Sequence, residues 1–300
     1  MRFGLFGTGH WAAETHGAAL DAHPRAELVG VWGRNRDRAA ALATRYGVPA
    51  FDDVDALIEA CDVVAVALPP DVQAEIAVRA ANAKRHLLLD KPLALSLADA
   101  DRVVDAATRS GVASVVFFTA RYQPEVAGFV AAAAAAGGWH TAHVIRFASI
   151  FQPSSPYGQS PWRRQHGALW DIGPHALAIL LPVLGRVTRV VAVDGPGGLV
   201  HLLLTHDGGA VSTVSLTLDA PPTAVASEFV FYGENGVETL PNPSGSSATA
   251  FGAAIDQLLT EIDAGTRDHR CDVRFGREVV AVLAAADAAR TRSTAVDLAG

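Results

Sequence analysis

The stretch Phe3-Gly4-Leu5-Phe6-Gly7-Thr8-Gly9-His10-Trp11-Ala12 decides the fold. A short apolar run ends in Gly-x-Gly-x-x-Ala, and a segment with helical spacing, Ala12–Ala22, follows it. The first glycine of such a loop permits a tight turn. The second lets a pyrophosphate approach the backbone, and the small third residue lets helix pack on strand. The helix start then offers unpaired N–H groups to phosphate. Gly7, Thr8, Gly9, His10 and Trp11 are therefore candidate dinucleotide-binding residues. For His10 two readings stand, a phosphate or substrate contact and a plain surface histidine. The apolar part of this N-terminus is short and runs straight into the turn, so it reads as a first strand and not as a signal peptide.

Outward from that loop, residues 1–118 alternate. Apolar runs at Phe3–Phe6, Glu27–Trp32, Asp62–Leu68, His86–Leu89 and Ala113–Phe117 suit parallel strands buried on both faces. Helical spacing covers Ala12–Ala22, Arg36–Tyr46, Val54–Ala60, Val72–Ala83 and Leu97–Ser110. This rhythm predicts a Rossmann-type, doubly wound parallel α/β sheet as a first domain, 1–118.

The pattern changes after Phe118. A helix is expected over Glu125–Ala136. Longer, partly alternating runs follow at His140–Phe151, Thr188–Asp194, Leu199–His206, Ala210–Leu218, Glu228–Tyr232 and Gly236–Leu240. With few helices between them, they predict an open, mainly antiparallel sheet covered by helices on one face. Helices are expected over Gly167–Leu184, Ala248–Ala264 and Phe275–Thr291. The second domain, 119–300, is thus α+β and is expected to bind substrate and to mediate assembly. Gln152–His166, with its prolines, aromatics and arginines, reads as a long functional loop, and Pro241–Ser247 as a second loop.

Composition narrows the function classes. The net charge is −7 and charged residues make up 18%, with no basic run long enough for a nucleic-acid or membrane surface. The longest apolar stretches, near Ala176–Leu184 and Val279–Ala286, are shorter than the roughly 18 residues of a membrane span. Cys61 and Cys271 have neither disulfide nor metal-ligand spacing, and read as buried reduced thiols of a cytoplasmic protein. No metal site is expected.

The second strand, Leu28-Val29-Gly30-Val31-Trp32, ends in Gly33-Arg34-Asn35-Arg36. A carboxylate that would hold the ribose hydroxyls of NAD is missing there, and an arginine in its place suits a 2′-phosphate. Gly33, Arg34, Asn35 and Arg36 therefore favour NADP(H), with NAD(H) the alternative. The competing reading has the arginines dressing the next helix and Asn35 capping it.

By Lys91 the chain resembles the Gfo/Idh/MocA family, which includes glucose–fructose oxidoreductase and inositol dehydrogenase. The residues that carry the resemblance are the Gly7–Ala12 loop, Leu68-Pro69-Pro70, His86-Leu87-Leu88-Leu89-Asp90-Lys91-Pro92, Arg121-Tyr122-Gln123-Pro124, Trp162-Arg163, Asp171-Ile172-Gly173-Pro174-His175 and the ending from Gly276 to Leu298. The resemblance covers nearly the whole chain. It implies hydride transfer between a nicotinamide and a hydroxyl or keto carbon of a sugar- or polyol-like substrate. Lys91 would bind the reacting oxygen, His175 would act as general acid/base, and Asp171 would orient it. Residues four apart on a helix lie about 5–6 Å apart at Cβ, and Pro174 either kinks that helix or marks its first turn. Leu68, Pro69 and Asp90 would line the cofactor site. Arg121, Tyr122, Trp162 and Arg163 would line the substrate pocket or serve packing.

Departures are visible. Asp90 replaces the family's usual Glu. Leu68 stands where many members have Ser or Thr, and Gln73 where many have His, which implies altered surroundings for the nicotinamide. The segment before Asp171 is short. Two further functions stay open: a catalytically silent NADP(H)-sensing regulator of the same fold, and a reductase acting on a double bond or imine. Apolar residues such as Leu202, Leu204, Val214 and Leu216 are expected on the uncovered face of the second sheet, which implies a homodimer or higher homo-oligomer.

Overall fold

The computed structural model describes residues 1–153 and 155–298. It comprises two compact units, Met1–Tyr122 with Gly245–Glu278, and Gln123–Ser244 with the chain from Val279 onward. The second unit begins at Gln123, where the sequence places a division at 118/119, and residues 245–278 return to the first.

The first unit is built on a six-stranded, all-parallel sheet. Its strands are β1 (Arg2–Phe6), β2 (Glu27–Trp32), β3 (Ala50–Phe51), β4 (Val63–Val66), β5 (His86–Asp90) and β6 (Ser114–Phe117). The order is β3-β2-β1-β4-β5-β6. Its helices are α1 (Ala18–Ala22), α2 (Arg36–Tyr46), α3 (Val54–Ala60), α4 (Pro70–Asn82) and α5 (Leu97–Ser110). Phe3, Leu5, the whole of β4 and Leu87–Leu89 are buried on both faces, as expected for strands sandwiched between helix layers. Polar caps fix the helix starts: Asn35, Asp53 and Ser96 accept the N–H groups of Arg38, Ala56 and Asp99. Strand order reverses between β1 and β4, and ligands of such sheets bind at the carboxyl ends beside that switch.

The second unit opens with α6 (Pro124–Ala136) and β7 (Trp139–Phe147), continues with α7 (Pro161–Asp171) and α8 (Gly173–Leu184), and then with β8 (Val187–Asp194), β9 (Val200–His206), β10 (Val211–Thr217), β11 (Ala226–Gly233) and β12 (Gly236–Thr239). The sheet order is β12-β11-β7-β10-β9-β8, with a closing strand β13 (Val296–Asp297) on β8. Every pairing is antiparallel except β7 with β10. α7 packs on β10 and α8 on β7.

The alternation of β9 and β10 is read the other way from the expectation. Leu202, Leu204, Val214 and Leu216 are buried. A side chain at Gly173 of α8 would touch Leu216, so these residues face the helices. A period of two fixes which residues share a face but not which face is covered. The opposite face carries His143 bonded to Thr213, His201 bonded to Ser215, and the apolar Val191, Val193 (56% exposed) and Leu203 (44% exposed).

Helix starts also moved. α7 begins at Pro161, within the expected loop 152–166, because proline is pre-set for a first helical turn. Gly167, with φ 65 and ψ −161, then breaks it. Ser154 lies outside the described residues. Together Pro161–Leu184 form the one helical stretch among the described residues that is long and apolar enough to cross a membrane, longer than the apolar runs suggest. It is mostly buried in the fold and is broken at Gly167, as a core helix pair would be.

The chain closes with α9 (Ser247–Ala264) and α10 (Val273–Arg292). α9 packs on α1, β6 and the helical turn at Thr119–Tyr122, all in the first unit. It buries Phe251, Ile255, Leu258 and Leu259 there, each contributing about 1.5–3 kcal/mol of burial.

Candidate active site

In the first unit the expected cofactor residues gather at the carboxyl edge of the parallel sheet. The Gly7 N–H donates to the Trp32 carbonyl at 2.8 Å, tying the loop to the end of β2. Gly7 has φ +137, and a Cβ there would sit 2.4 Å from the Ala67 carbonyl oxygen, so only glycine fits. Gly9 is the opposite case. A Cβ there would meet nothing within 4 Å, which leaves its backbone open to a ligand. Ala12 is fully buried, and its Cβ lies 3.4 Å from where a Gly7 side chain would stand. The helix that follows opens with a π-helical segment, Ala12–Gly17, before α1, where a plain α-helix was expected. Such widened turns are frequent at functional sites. His10 is exposed, and the half-buried Trp11 ring lies 6.5 Å from Phe117.

At the end of β2 the four expected residues divide their work. Asn35 caps α2 through its Oδ1 at 2.9 Å from the Arg38 N–H. Arg36 pairs with Asp52 at 3.2 Å, both exposed. Arg34 is exposed and makes no ion pair among the described residues. Leu68 and Pro69 follow β4 and are half-buried, with Pro69 at the N-cap of α4.

Asp90 and Lys91 form the turn after β5. Asp90 is buried, and its Oδ1 accepts the Lys91 N–H at 2.7 Å. Gln73 of α4 clamps this turn. Its Nε2 donates to the carbonyls of Asp90 (2.7 Å), Pro92 (3.1 Å) and Leu93 (3.3 Å), and its Oε1 accepts the Asp90 N–H at 2.8 Å. The sequence marks Gln73 only as a departure near the nicotinamide. In the fold it is a buried bracket for the lysine turn, which residue type alone does not reveal. His16 is the other residue missed. It is fully buried, its ring tilted against Phe251 at 3.9 Å between centroids, with Nε2 3.7 Å from Asp90 Oδ2, and among the described residues neither ring nitrogen has a hydrogen-bond partner. Lys91 itself is half-exposed.

Arg121 and Tyr122 are buried in the first unit. The Tyr122 hydroxyl donates to the Val116 carbonyl at 3.2 Å, and burial pushes its pKa well up. Arg121 lies over the Phe275 ring, and burial lowers its pKa.

In the second unit, Trp162, Arg163, Asp171 and His175 gather about the α7–α8 junction. Trp162 and Arg163 stand on the first turn of α7, not on a loop. Asp171 ends α7 and Pro174 occupies the first turn of α8, so His175 follows on the next helix across Ile172, which keeps near-helical angles. Asp171 is buried, and its Oδ2 accepts from Arg163 Nε at 2.9 Å. The Arg163 guanidinium is held between the Tyr157 and Trp162 rings, 4.8 Å from each centroid. An aromatic clamp that aims a guanidinium at one carboxylate fixes that carboxylate's rotamer.

The open backbone at Gly9, the bare Gly33 and the helix opening at Ala12 fit a dinucleotide. Residues 1–118 match the oxidoreductase family with an NAD-binding Rossmann fold, and residues 143–237 match the GFO/IDH/MocA C-terminal domain. A match to the glucose-6-phosphate 3-dehydrogenase of Bacillus subtilis (strain 168) is 36% identical over 121 residues, taking in 40% of this chain and 34% of that protein, about a third of its length. A second, to the uncharacterized oxidoreductase ORF334 of Rhizobium meliloti, is 30% identical over 235 residues, 71% of this chain and 67% of the relative. In fold, a solved levoglucosan dehydrogenase in complex with NADH and levoglucosan superposes with a TM-score of 0.86 at 22% identity, over 100% of this chain and 99% of the other. The chain belongs to the Gfo/Idh/MocA family of NAD(P)-dependent oxidoreductases.

Proposed function

We propose that this protein is an NADP(H)-dependent dehydrogenase that interconverts a hydroxyl and a keto carbon of a sugar- or polyol-like substrate. The observation that carries the reading is the Lys91 turn, fixed at the carboxyl end of β5 in the same sheet as the Gly7 loop. With β4 between β1 and β5, the two lie two strand spacings apart, roughly 10 Å. The Gly7 loop would hold the pyrophosphate of a dinucleotide and Gly33 and Arg34 would receive its adenosine half, which would leave Lys91 for the nicotinamide half.

When bound, the nicotinamide supplies or accepts the hydride. The chain's own residues handle the proton. The Lys91 ammonium donates a hydrogen bond to the reacting oxygen. The His175 imidazole takes the hydroxyl proton as the carbon is oxidised, and returns it in the reverse direction. Asp171, held by Arg163, orients the imidazole or a neighbouring hydroxyl. The sugar class draws on the relatives' names, a glucose-6-phosphate 3-dehydrogenase and a levoglucosan dehydrogenase. NADP(H) draws on the bare end of β2 and the exposed Arg34.

Tryptophan fluorescence titrations with NADPH and NADH, followed by turnover of a sugar and polyol panel, test the reading. Lys91→Ala and His175→Asn are expected to retain dinucleotide binding and to lose turnover by about 10²–10⁴-fold. Binding without turnover of any member would favour the sensing role, and no binding would overturn the reading altogether.

Assembly is part of the proposal. The face bearing Val191, Val193 and Leu203 is taken as a homo-oligomer interface, and sedimentation showing only monomer at micromolar concentration removes it. The buried, free Cys61 and Cys271 accord with a cytoplasmic enzyme.

A further inference from the structure

We propose that Thr8 is a specificity-determining residue, which sets the cofactor preference by denying any side chain to position 33. The inference rests on the reading that the Gly7–Ala12 loop holds a dinucleotide. A Cβ built on Gly33 would lie 2.4 Å from Thr8 Cγ2, 3.0 Å from its Oγ1 and 3.3 Å from its Cβ. Threonine is branched at Cβ and stiff at χ1, so these two γ atoms are not readily turned aside, whereas alanine at position 8 lacks both and leaves only the 3.3 Å Cβ contact. The loop cannot retreat. The Gly7 N–H is bonded to the Trp32 carbonyl, one residue before Gly33, and Gly7 itself is seated against the Ala67 carbonyl.

Position 33 ends β2, where a carboxylate would grip the ribose hydroxyls of an unphosphorylated cofactor. Such a carboxylate needs a Cβ, and Thr8 fills its place. The site is therefore kept free of negative charge at the ribose. Arg34 stands beside it with no ion pair among the described residues, and Arg36 is shared with Asp52. Preference for a 2′-phosphate thus has two parts, an arginine that attracts it and a threonine that excludes its competitor's anchor. Gly33 is required by Thr8, and the two residues behave as one unit.

The test is a four-cornered comparison of wild type, Thr8→Ala, Gly33→Asp and the double variant, each titrated with NADPH and NADH. Wild type should prefer NADPH. Gly33→Asp alone should weaken both cofactors by about tenfold or more, and the double variant should recover NADH and shift the NADPH/NADH ratio toward NADH by about 100-fold. Gly33→Asp binding NADH as tightly as the double variant would overturn the role of Thr8 and leave the cofactor reading standing. Wild-type preference for NADH, or binding of neither, overturns the cofactor reading and this inference with it. Should Gly33→Asp fail to fold, Gly33→Ala made both in the wild-type chain and together with Thr8→Ala, followed by urea unfolding, reads the same contact. The folding equilibrium should show coupling of about tenfold, and additive effects would refute the clash.

Discussion

Gln73 and Asp90 are locked at both ends of one amide: the Asp90 N–H reaches Oε1 at 2.8 Å and the Asp90 carbonyl accepts from Nε2 at 2.7 Å. The donor and acceptor fix the amide's orientation, so the lysine turn has one arrangement. Gln73→Ala leaves a backbone N–H and three carbonyls of the buried turn short of a partner. It is expected to destabilise the fold by about 3 kcal/mol, at about 1–3 kcal/mol per unsatisfied buried group with partial relief by water. Urea unfolding should show a lower midpoint with an unchanged slope.

Arg163 and Asp171 form the second fixed pair. Arg163→Ala leaves a buried carboxylate without its cation, a loss of about 3–5 kcal/mol. Arg163→Ala with Asp171→Ala should cost much less than the two single losses combined. A double-mutant cycle in urea measures this, and additive losses would show that the pair is not coupled.

The two glycines of the loop should separate stability from binding. Gly7→Ala forces a side chain against the Ala67 carbonyl at a positive φ, and should cost about 2 kcal/mol or more. Gly9→Ala meets open space and should leave thermal stability within about 0.5 kcal/mol, while weakening dinucleotide affinity at least about tenfold by blocking the phosphate's approach. Calorimetry and fluorescence titration on the same samples distinguish the two.

His269 should make the first unit acid-sensitive. Burial and the nearby Arg270 lower its pKa to about 4. The Cys271 N–H donates to its Nδ1 at 3.1 Å, so the proton of the neutral ring sits on Nε2, which faces Gln257 Oε1 at 2.9 Å. The unfolded chain protonates this histidine near its ordinary value of about 6.5, where the folded chain does not. Stability is therefore full above about 6.5 and falls as pH drops toward about 4, by on the order of 2 kcal/mol. His269→Asn should flatten that window in pH-dependent unfolding.

The nucleotide-binding half was legible because its signals are local. An apolar strand, two glycines and a small residue specify the turn, and unbroken runs such as Val63–Val66 specify strands buried on both faces. Lys91, Asp171 and His175 stand out in the sequence only through motif resemblance. What sequence could not show depends on distant partners. Gln73 gains its duty from a turn 17 residues away, Asp171 its cation from the start of its own helix across the break at Gly167, and Leu202 its inward direction from helices whose placement no strand pattern encodes. Pro161 was a missed local cue, since a proline after Ser160 marks a helix start as well as a loop.

The return of α9 to the first unit has a consequence for biogenesis. Phe251 fills the space beside His16 and Phe117, so an emerging nascent chain that ends at Tyr122 carries a bare apolar seam. The whole of Gln123–Ser244 must be translated before that seam can close, a wait on the order of ten seconds at roughly 5–20 residues per second. A fragment cut at residue 122 should accordingly aggregate, whereas one that appends Gly245–Glu278 through a flexible tether should remain monodisperse.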